Sequence, residues 1–192
     1  MIEKIYLVLV IVFFVLAFAI RNTKTYISTK TSIKGKSLKL TISILLSTFI
    51  YILILLRLTI LEPAWILELD LIRIASLRVV GIVLVAAGFI SGILALVAMK
   101  NSWRVGIKYD QKTHLVTTGI YRYSRNPYFF SYNILIFGYI LIFPSIILIV
   151  LYLALAITFH QMILEEEKYL ETVHGDSYIK YKLKVGRYIM II

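Results

Sequence analysis

The chain contains no cysteine. Disulfides, a thiolate metal site and a cysteine nucleophile are therefore excluded, and cysteine usage says nothing about redox compartment. Charge is scarce too: of 192 residues 16% are charged and 60% hydrophobic, where soluble domains run nearer about a quarter and a half. A chain this short buries only a limited part of such a surplus in a water-soluble core. Gly-x-Gly-x-x-Gly and Gly-x-x-x-x-Gly-Lys-Ser/Thr are both missing, so the soluble nucleotide-binding fingerprints are absent. His-x-x-x-His, Gly-x-Ser-x-Gly and Cys-x-x-Cys are missing as well, and His114, His160 and His174 are scattered. No metal site is expected. There is no internal repeat, low-complexity tract or linker, so residues 1–192 form a single membrane domain.

What is present is blocked into long apolar runs. Residues 5–20 follow Glu3 and Lys4 and end at Arg21; no small-residue cleavage site follows, so this is an uncleaved first helix rather than a signal peptide. Residues 40–61 contain one charge, Arg57, and residues 79–99 contain none. The last run, 129–159, is too long for one helix and is interrupted at Phe143-Pro144-Ser145. About 20 apolar residues at about 1.5 Å rise cross the ~30 Å hydrocarbon core. Proline lacks an N–H and disfavours helix in the residue before it, which fits a turn between two helices. Five transmembrane helices are expected, over about 5–20, 40–61, 79–99, 129–143 and 145–164, the last two a proline-broken hairpin. The fold class is an all-α integral membrane protein. Gly88, Gly92 and Ala95 share one face of the third helix and predict close helix packing.

The net charge of +11 is read as a topology signal, not as a nucleic-acid footprint. Arg21, Lys24, Lys30, Lys34, Lys36 and Lys39 lie in the first loop without an acid. Lys100, Arg104, Lys108, Lys112, Arg122 and Arg125 oppose only Asp110 between the third and fourth runs, and the tail adds Lys168, Lys180, Lys182, Lys184 and Arg187. Loop 62–78 instead has Glu62, Glu68 and Asp70 against Arg73 and Arg78. With five helices the basic segments share one side. The positive-inside rule then places the N-terminus outside and the C-terminus in the cytoplasm.

The residues able to do chemistry concentrate in two cytoplasmic stretches, 101–128 and 165–187. Glu165, Glu166 and Glu167 follow directly on the apolar run. Successive helix residues are about 100° apart, so the three cannot share a face. Either one turns inward against a cationic partner, with Arg125 and Arg187 as candidates, or the cluster is a solvated interfacial turn. Pro127 suits the first turn of a helix, whose free N–H groups attract a carboxylate; equally, it starts the helix while Arg125 snorkels. Trp103, Tyr178 and Tyr181 are cavity residues or interfacial aromatics, and His160 lines a cavity or packs at the interface.

Taken in order, Asn101-Ser102-Trp103, His114-Leu115-Val116-Thr117-Thr118-Gly119-Ile120-Tyr121, Arg125-Asn126-Pro127-Tyr128, Glu166-Glu167-x-x-Leu170, Gly175-x-x-Tyr178-x-x-Tyr181 and Val185-Gly186-Arg187 resemble the isoprenylcysteine carboxyl methyltransferase family. More widely, they resemble the membrane methyltransferases that include phospholipid N-methyltransferases. The resemblance covers about residues 101–187 and implies a cytoplasmic cofactor pocket capped by the C-terminal segment. S-adenosyl-L-methionine would bind there without a Rossmann domain. His114, Leu115, Val116, Gly119 and Tyr121 would border it, with Asn126, Pro127 and Tyr128 beside them and Glu166 in the acidic pair. Arg125 or Arg187 would hold an acceptor carboxylate, and Glu167 would serve as base for an amine. Asn126 stands where the eukaryotic enzymes usually have histidine, so a titrating role does not transfer. The usual proline after the final Val-x-Arg is replaced by Tyr188.

The activity so implied is methyl transfer to the carboxylate of a lipophilic substrate, such as a prenylated cysteine, entering from the bilayer. The alternatives are a phospholipid or small-thiol methyltransferase of the same fold, a membrane reductase using NADPH, and a non-catalytic membrane protein. Membrane lipids are the expected surroundings, with no nucleic-acid partner. The sequence leaves the oligomeric state open.

Overall fold

The computed structural model describes residues 1–32, 34–60, 63–69, 74–109 and 114–189. Leu61, the expected end of the second span, and Glu62, Asp70, Arg73, Asp110 and Lys112, which entered the loop-charge comparison, lie outside the described residues. Six α-helices account for most of the chain: α1 Ile2–Thr29, α2 Leu38–Thr59, α3 Ala75–Met99, α4 Pro127–Ile142, α5 Ile146–His174 and α6 Asp176–Lys184. Among the described residues there are no strands, only two isolated bridges.

Four helices, α1, α2, α3 and α5, are long and apolar enough to cross a membrane; α4 is a shorter apolar helix. Large apolar side chains cover their outer faces, including Phe13, Leu16, Val83, Leu94, Leu153 and Ile157. An apolar exterior of this extent suits hydrocarbon rather than water. The chain is a multi-pass integral membrane protein.

The helices follow the apolar runs, with ends set by local chemistry. Pro127 opens α4, where its missing N–H costs no hydrogen bond. Phe143 and Pro144 stop it, and the Ser145 hydroxyl restarts the helix by accepting from the Leu148 N–H at 3.4 Å. α5 has 29 residues, about 43 Å of helix, longer than the ~30 Å hydrocarbon core. Its apolar part ends at Leu164, so its charged last ten residues project beyond the core. Gly175, at φ 52°, reverses the chain into α6.

α3 and α4 make the most extensive helix contact, and glycine is the reason. A Cβ on Gly88 would lie 2.7 Å from the Leu135 backbone nitrogen, and one on Gly138 would lie 2.8 Å from the Gly81 carbonyl. Gly92 takes the Phe14 ring of α1, and Ala95 is buried. α1 therefore packs on α3, while α2 packs on α5. The Tyr139 hydroxyl ties α4 to the Leu7 carbonyl at 2.6 Å.

The two ends of the bundle differ. At one, the segment before α3 docks on the break between α4 and α5: the Leu69 N–H donates to Pro144 O at 2.7 Å and the Ile146 N–H to Leu67 O at 3.1 Å. There Arg57, near the end of α2, pairs with Glu68, and its guanidinium stands 5.2 Å from the Phe143 ring centroid. At the basic end, the Gly35 N–H donates to Val105 O at 2.8 Å. This clasp holds the loop between α1 and α2 against the segment after α3, where the candidate site begins.

Candidate active site

The three glutamates sit on the projecting part of α5, and the helical turn sends each somewhere different. Glu165 faces outward and pairs with Lys39 at the start of α2. Glu166 lines a cavity and makes no hydrogen bond or ion pair among the described residues. Glu167 is 4% exposed and receives donors from two directions. Arg187 reaches it with Nε at 3.1 Å and Nη2 at 3.0 Å, Asn126 Nδ2 lies at 3.1 Å, and Arg125 Nη2 at 3.3 Å. Both candidate counter-ions thus meet on one carboxylate, and a solvated turn is not what forms.

That carboxylate also anchors the C-terminal segment. Backbone N–H groups of Arg125 and Asn126 donate to Gly186 O at 3.0 Å and Arg187 O at 3.2 Å. The Ser124 hydroxyl and Asn126 Nδ2 converge on the same Arg187 carbonyl, each at 3.3 Å. Asn126 therefore bridges Glu167 and the segment with one amide group, using donors that neutral histidine could not duplicate. Beyond it, the Tyr181 hydroxyl donates to Tyr121 O at 2.6 Å, and Tyr178 and Tyr181 close the cavity from α6.

The cavity has a volume of about 320 Å³ and two unlike halves. The half beyond the apolar spans has the polar groups: Arg104, Lys108, Arg125 and Glu166, with His114, Asn126, Tyr178 and Tyr181. The inner half is walled by rings from three segments, α1, the stretch after α3, and α4. Trp103 and Tyr128 stand 5.1 Å apart between centroids, Phe14 and Tyr132 5.7 Å, and Phe18 and Trp103 5.9 Å. Trp103 is fixed by its Nε1–H, which donates to Asn22 Oδ1 at 2.7 Å.

Electrostatics separates the two buried glutamates. Burial raises the Glu166 carboxyl from its ordinary value, and the Glu167 charge beside it pushes the same way, to about 7. The hydrogen bond from Arg187 to Glu167 holds that guanidinium more firmly protonated than usual. Burial raises the Tyr121, Tyr178 and Tyr181 phenols well above neutrality, so all three serve as neutral groups. The Arg125 side chain is 7% exposed, and its Nε and Nη1 are buried without a hydrogen-bond partner. An unsatisfied buried donor is costly, and Arg125 lines the same cavity as the unpaired Glu166 carboxylate.

Of the sequence-derived residues, Arg125, His114, Leu115, Val116, Tyr121, Asn126, Tyr128 and Glu166 line the cavity. Gly119, Pro127, Glu167 and Arg187 do not: Gly119 shapes the turn before Tyr121, Pro127 starts α4, and Glu167 and Arg187 form the adjacent clamp. His160 lies outside, with its Nδ1 2.6 Å from the Tyr188 hydroxyl. No cluster of potential metal ligands exists among the described residues. Sequence reasoning missed Phe14, Phe18, Ser43, Ser47, Thr48 and Tyr51, the lining drawn from α1 and α2. One signal was available: Ser43, Ser47 and Tyr51 recur every four residues, a polar stripe in an otherwise apolar helix.

A family model described as phospholipid methyltransferase matches residues 77–177. No curated protein matches the sequence.

Proposed function

The chain belongs to the phospholipid methyltransferase family, and from that premise we propose that it is an integral membrane S-adenosylmethionine-dependent methyltransferase acting on a lipophilic acceptor. One observation carries the reading: a single cavity is lined both by Arg125, whose Nε and Nη1 have no hydrogen-bond partner, and by Glu166, whose carboxylate is unpaired. That pair complements a ligand with both a carboxylate and an ammonium group, which is the amino-acid end of this cofactor. The residues present therefore fit it. The cofactor supplies a methyl group on a sulfonium, and transfer to a nucleophile in line behind it is chiefly a matter of positioning.

The chain's own groups divide that task. Arg125 binds the carboxylate. Glu166 binds the ammonium and, in a low-dielectric cavity, balances positive charge. Glu167 touches no ligand; it positions Arg125, Asn126 and Arg187 and so fixes the C-terminal segment over the cavity. The ring faces of Trp103, Tyr128 and Tyr132 exclude water from the inner half and attract a cationic centre. Glu167, engaged by Arg125, Asn126 and Arg187, does not serve as the base for an amine in this reading.

The acceptor we favour is a membrane-lipid amine in its neutral form, whose N–C bond forms as the C–S bond breaks and whose proton leaves to water. Methylation of a lipophilic carboxylate, such as a prenylated cysteine, is the second reading. It needs Arg125 for the acceptor, because Arg125 lines the cavity and Arg187 does not. A labelled-methyl assay separates the two: methyl esters release volatile methanol in base, whereas N-methyl label is base-stable. Base-stable lipid label is expected; no label in any lipid would overturn the activity itself.

We further propose five crossings, with α4 and α5 as the legs of a hairpin, the basic end in the cytoplasm and the N-terminus outside. The short α4 supports this because the break at Phe143–Ser145 is covered by the segment that holds Glu68. The distribution of lysine and arginine supports the orientation.

A further inference from the structure

Tyr178 and Tyr181 are one turn apart on α6, with ring centroids 6.1 Å apart, and both line the cavity. Their hydroxyls differ. That of Tyr181 is spent on the fold, donating to Tyr121 O at 2.6 Å. Tyr178 is 1% exposed, and its buried hydroxyl has no hydrogen-bond partner among the described residues. Buried polar atoms in native proteins find partners. A hydroxyl left without one, on a ring that lines a cavity, points to a partner from outside the chain.

The surroundings select that partner's chemistry. The charges of Glu167, Arg125 and Glu166 all act on the Tyr178 phenol, which places it at the charged end of the cavity. Glu167 is already occupied: one of its oxygens takes Asn126 and Arg125, and the other takes Arg187. Arg125 lines the same cavity with its Nε and Nη1 unpartnered. An anion that satisfies this guanidinium brings acceptor oxygens to the neighbourhood of the phenol. Burial, helped by the Glu167 charge, keeps the phenol protonated against the opposing pull of Arg125, so it has a proton to donate. An ammonium group, by contrast, finds a far better acceptor in the Glu166 carboxylate.

The ring is held by packing alone. Tyr178, Tyr181 and Val185 form one buried cluster, with Leu115 and Leu170 packed against it. A donor fixed in this way is set in place before the ligand arrives.

We propose that Tyr178 is a specificity-determining residue: its hydroxyl donates to the carboxylate that Arg125 binds, so that the site selects the intact amino-acid end of the cofactor over its decarboxylated form. A site built to hydrogen-bond a ligand group rejects the analogue lacking it, because the site's own buried donors are then left unpaired. The assignment rests on the cofactor reading above, and the two fail by different results.

Calorimetry on the detergent-purified protein and on Tyr178→Phe uses three probes. They are S-adenosylhomocysteine, its decarboxylated analogue, which keeps the amine, and its deaminated analogue, which keeps the carboxylate. Losing a hydrogen bond to a charged group should weaken the two carboxylate-bearing probes by about tenfold or more and leave the decarboxylated one within about twofold. Glu166→Gln should instead spare the deaminated analogue. Without ligand, Tyr178→Phe should melt no lower than the unaltered protein, because the hydroxyl it loses has no partner. Tyr181→Phe, which gives up the bond to Tyr121 O, should melt lower. Unchanged S-adenosylhomocysteine affinity in Tyr178→Phe, equal weakening of all three probes, or weakening of only the amine-bearing two overturns the assignment. So does a lower melting temperature of ligand-free Tyr178→Phe, which would mean that the hydroxyl already serves the fold. Absence of S-adenosylhomocysteine binding by the unaltered protein overturns the cofactor reading itself, and the assignment with it.

Discussion

Adjacent glutamates on one helix acquire opposite roles because about 100° of rotation separates them. Glu167 sits among four donors, and Glu166 sits in a cavity with none. Glu167→Gln leaves Arg125 buried with a weakened partner, and breaking a buried pair costs about 3 kcal/mol. We expect a melting temperature several degrees lower together with weakened S-adenosylhomocysteine binding. Glu166→Gln removes no protein contact and relieves a buried charge that the fold disfavours, so binding should fall at least tenfold while the melting temperature holds or rises. Thermal denaturation and calorimetry on the two variants check this, and equal melting losses would contradict the division of labour.

The Glu166 carboxyl adds a pH dependence with a definite sign. Its value in the fold is about 7 against an ordinary 4.5, so between these values the folded protein holds more protons than the unfolded chain. Stability from this group therefore falls as pH rises through that window. Binding has the opposite trend. A cationic ligand prefers the ionised carboxylate, so affinity should weaken as pH drops below about 7, by at most about tenfold per unit. Calorimetry in two buffers of different ionisation enthalpy should show protons released near neutrality. Glu166→Gln should abolish that release; its persistence would assign the proton elsewhere.

At the scale of elements, the packing of α3 on α4 depends on glycines that a methyl group would violate. Gly138→Ala places a Cβ against the Gly81 carbonyl and the Val85 nitrogen, both at 2.8 Å, with backbone on the far side that cannot rotate away. Overpacking of this kind costs about 1–3 kcal/mol. A lower melting temperature in detergent is expected, and an unchanged one would mean the helices are free to separate. The apolar runs made these helices legible, and Pro144 made the break legible. The continuation of α5 to His174 was not, because hydropathy reports where lipid ends and hydrogen bonding carries the helix onward. The Glu165–Glu167 spacing predicted that one carboxylate turns inward, but only the fold shows that Glu167 is the engaged one and Glu166 the open one.

The C-terminal segment is a second element whose role hydropathy could not reveal. It contributes two backbone carbonyls and one guanidinium to residues 124–126 and 167. A chain ending at Lys184 loses all of them. Its α1–α5 bundle should persist by circular dichroism, while S-adenosylhomocysteine binding is lost. Full binding by the shortened chain would remove the segment from the site.

For the molecule as a whole, the candidate site was half visible. Residues 101–187 carry an ordered set of polar and aromatic residues that stands out against the apolar background, and eight of twelve expected positions line the cavity. The inner half was hidden because Phe14, Phe18 and Tyr51 are single members of apolar runs, and only three-dimensional packing brings α1 and α2 onto Trp103 and Tyr128. The absence of cysteine makes the proposed topology directly testable. Trp65→Cys should react with a membrane-impermeant maleimide on intact cells, and Lys30→Cys only after permeabilisation; the reverse pattern would invert the molecule.

All of these roles depend on the cavity holding the methyl donor, so the deciding measurement is calorimetric titration of the detergent-purified protein with S-adenosylhomocysteine, with NADPH titrated in parallel. Saturable binding of S-adenosylhomocysteine at one site per chain, weakened at least tenfold in Glu166→Gln and absent for NADPH, is the predicted result. Binding of NADPH alone, or of neither ligand by protein with an intact melting transition, would contradict it.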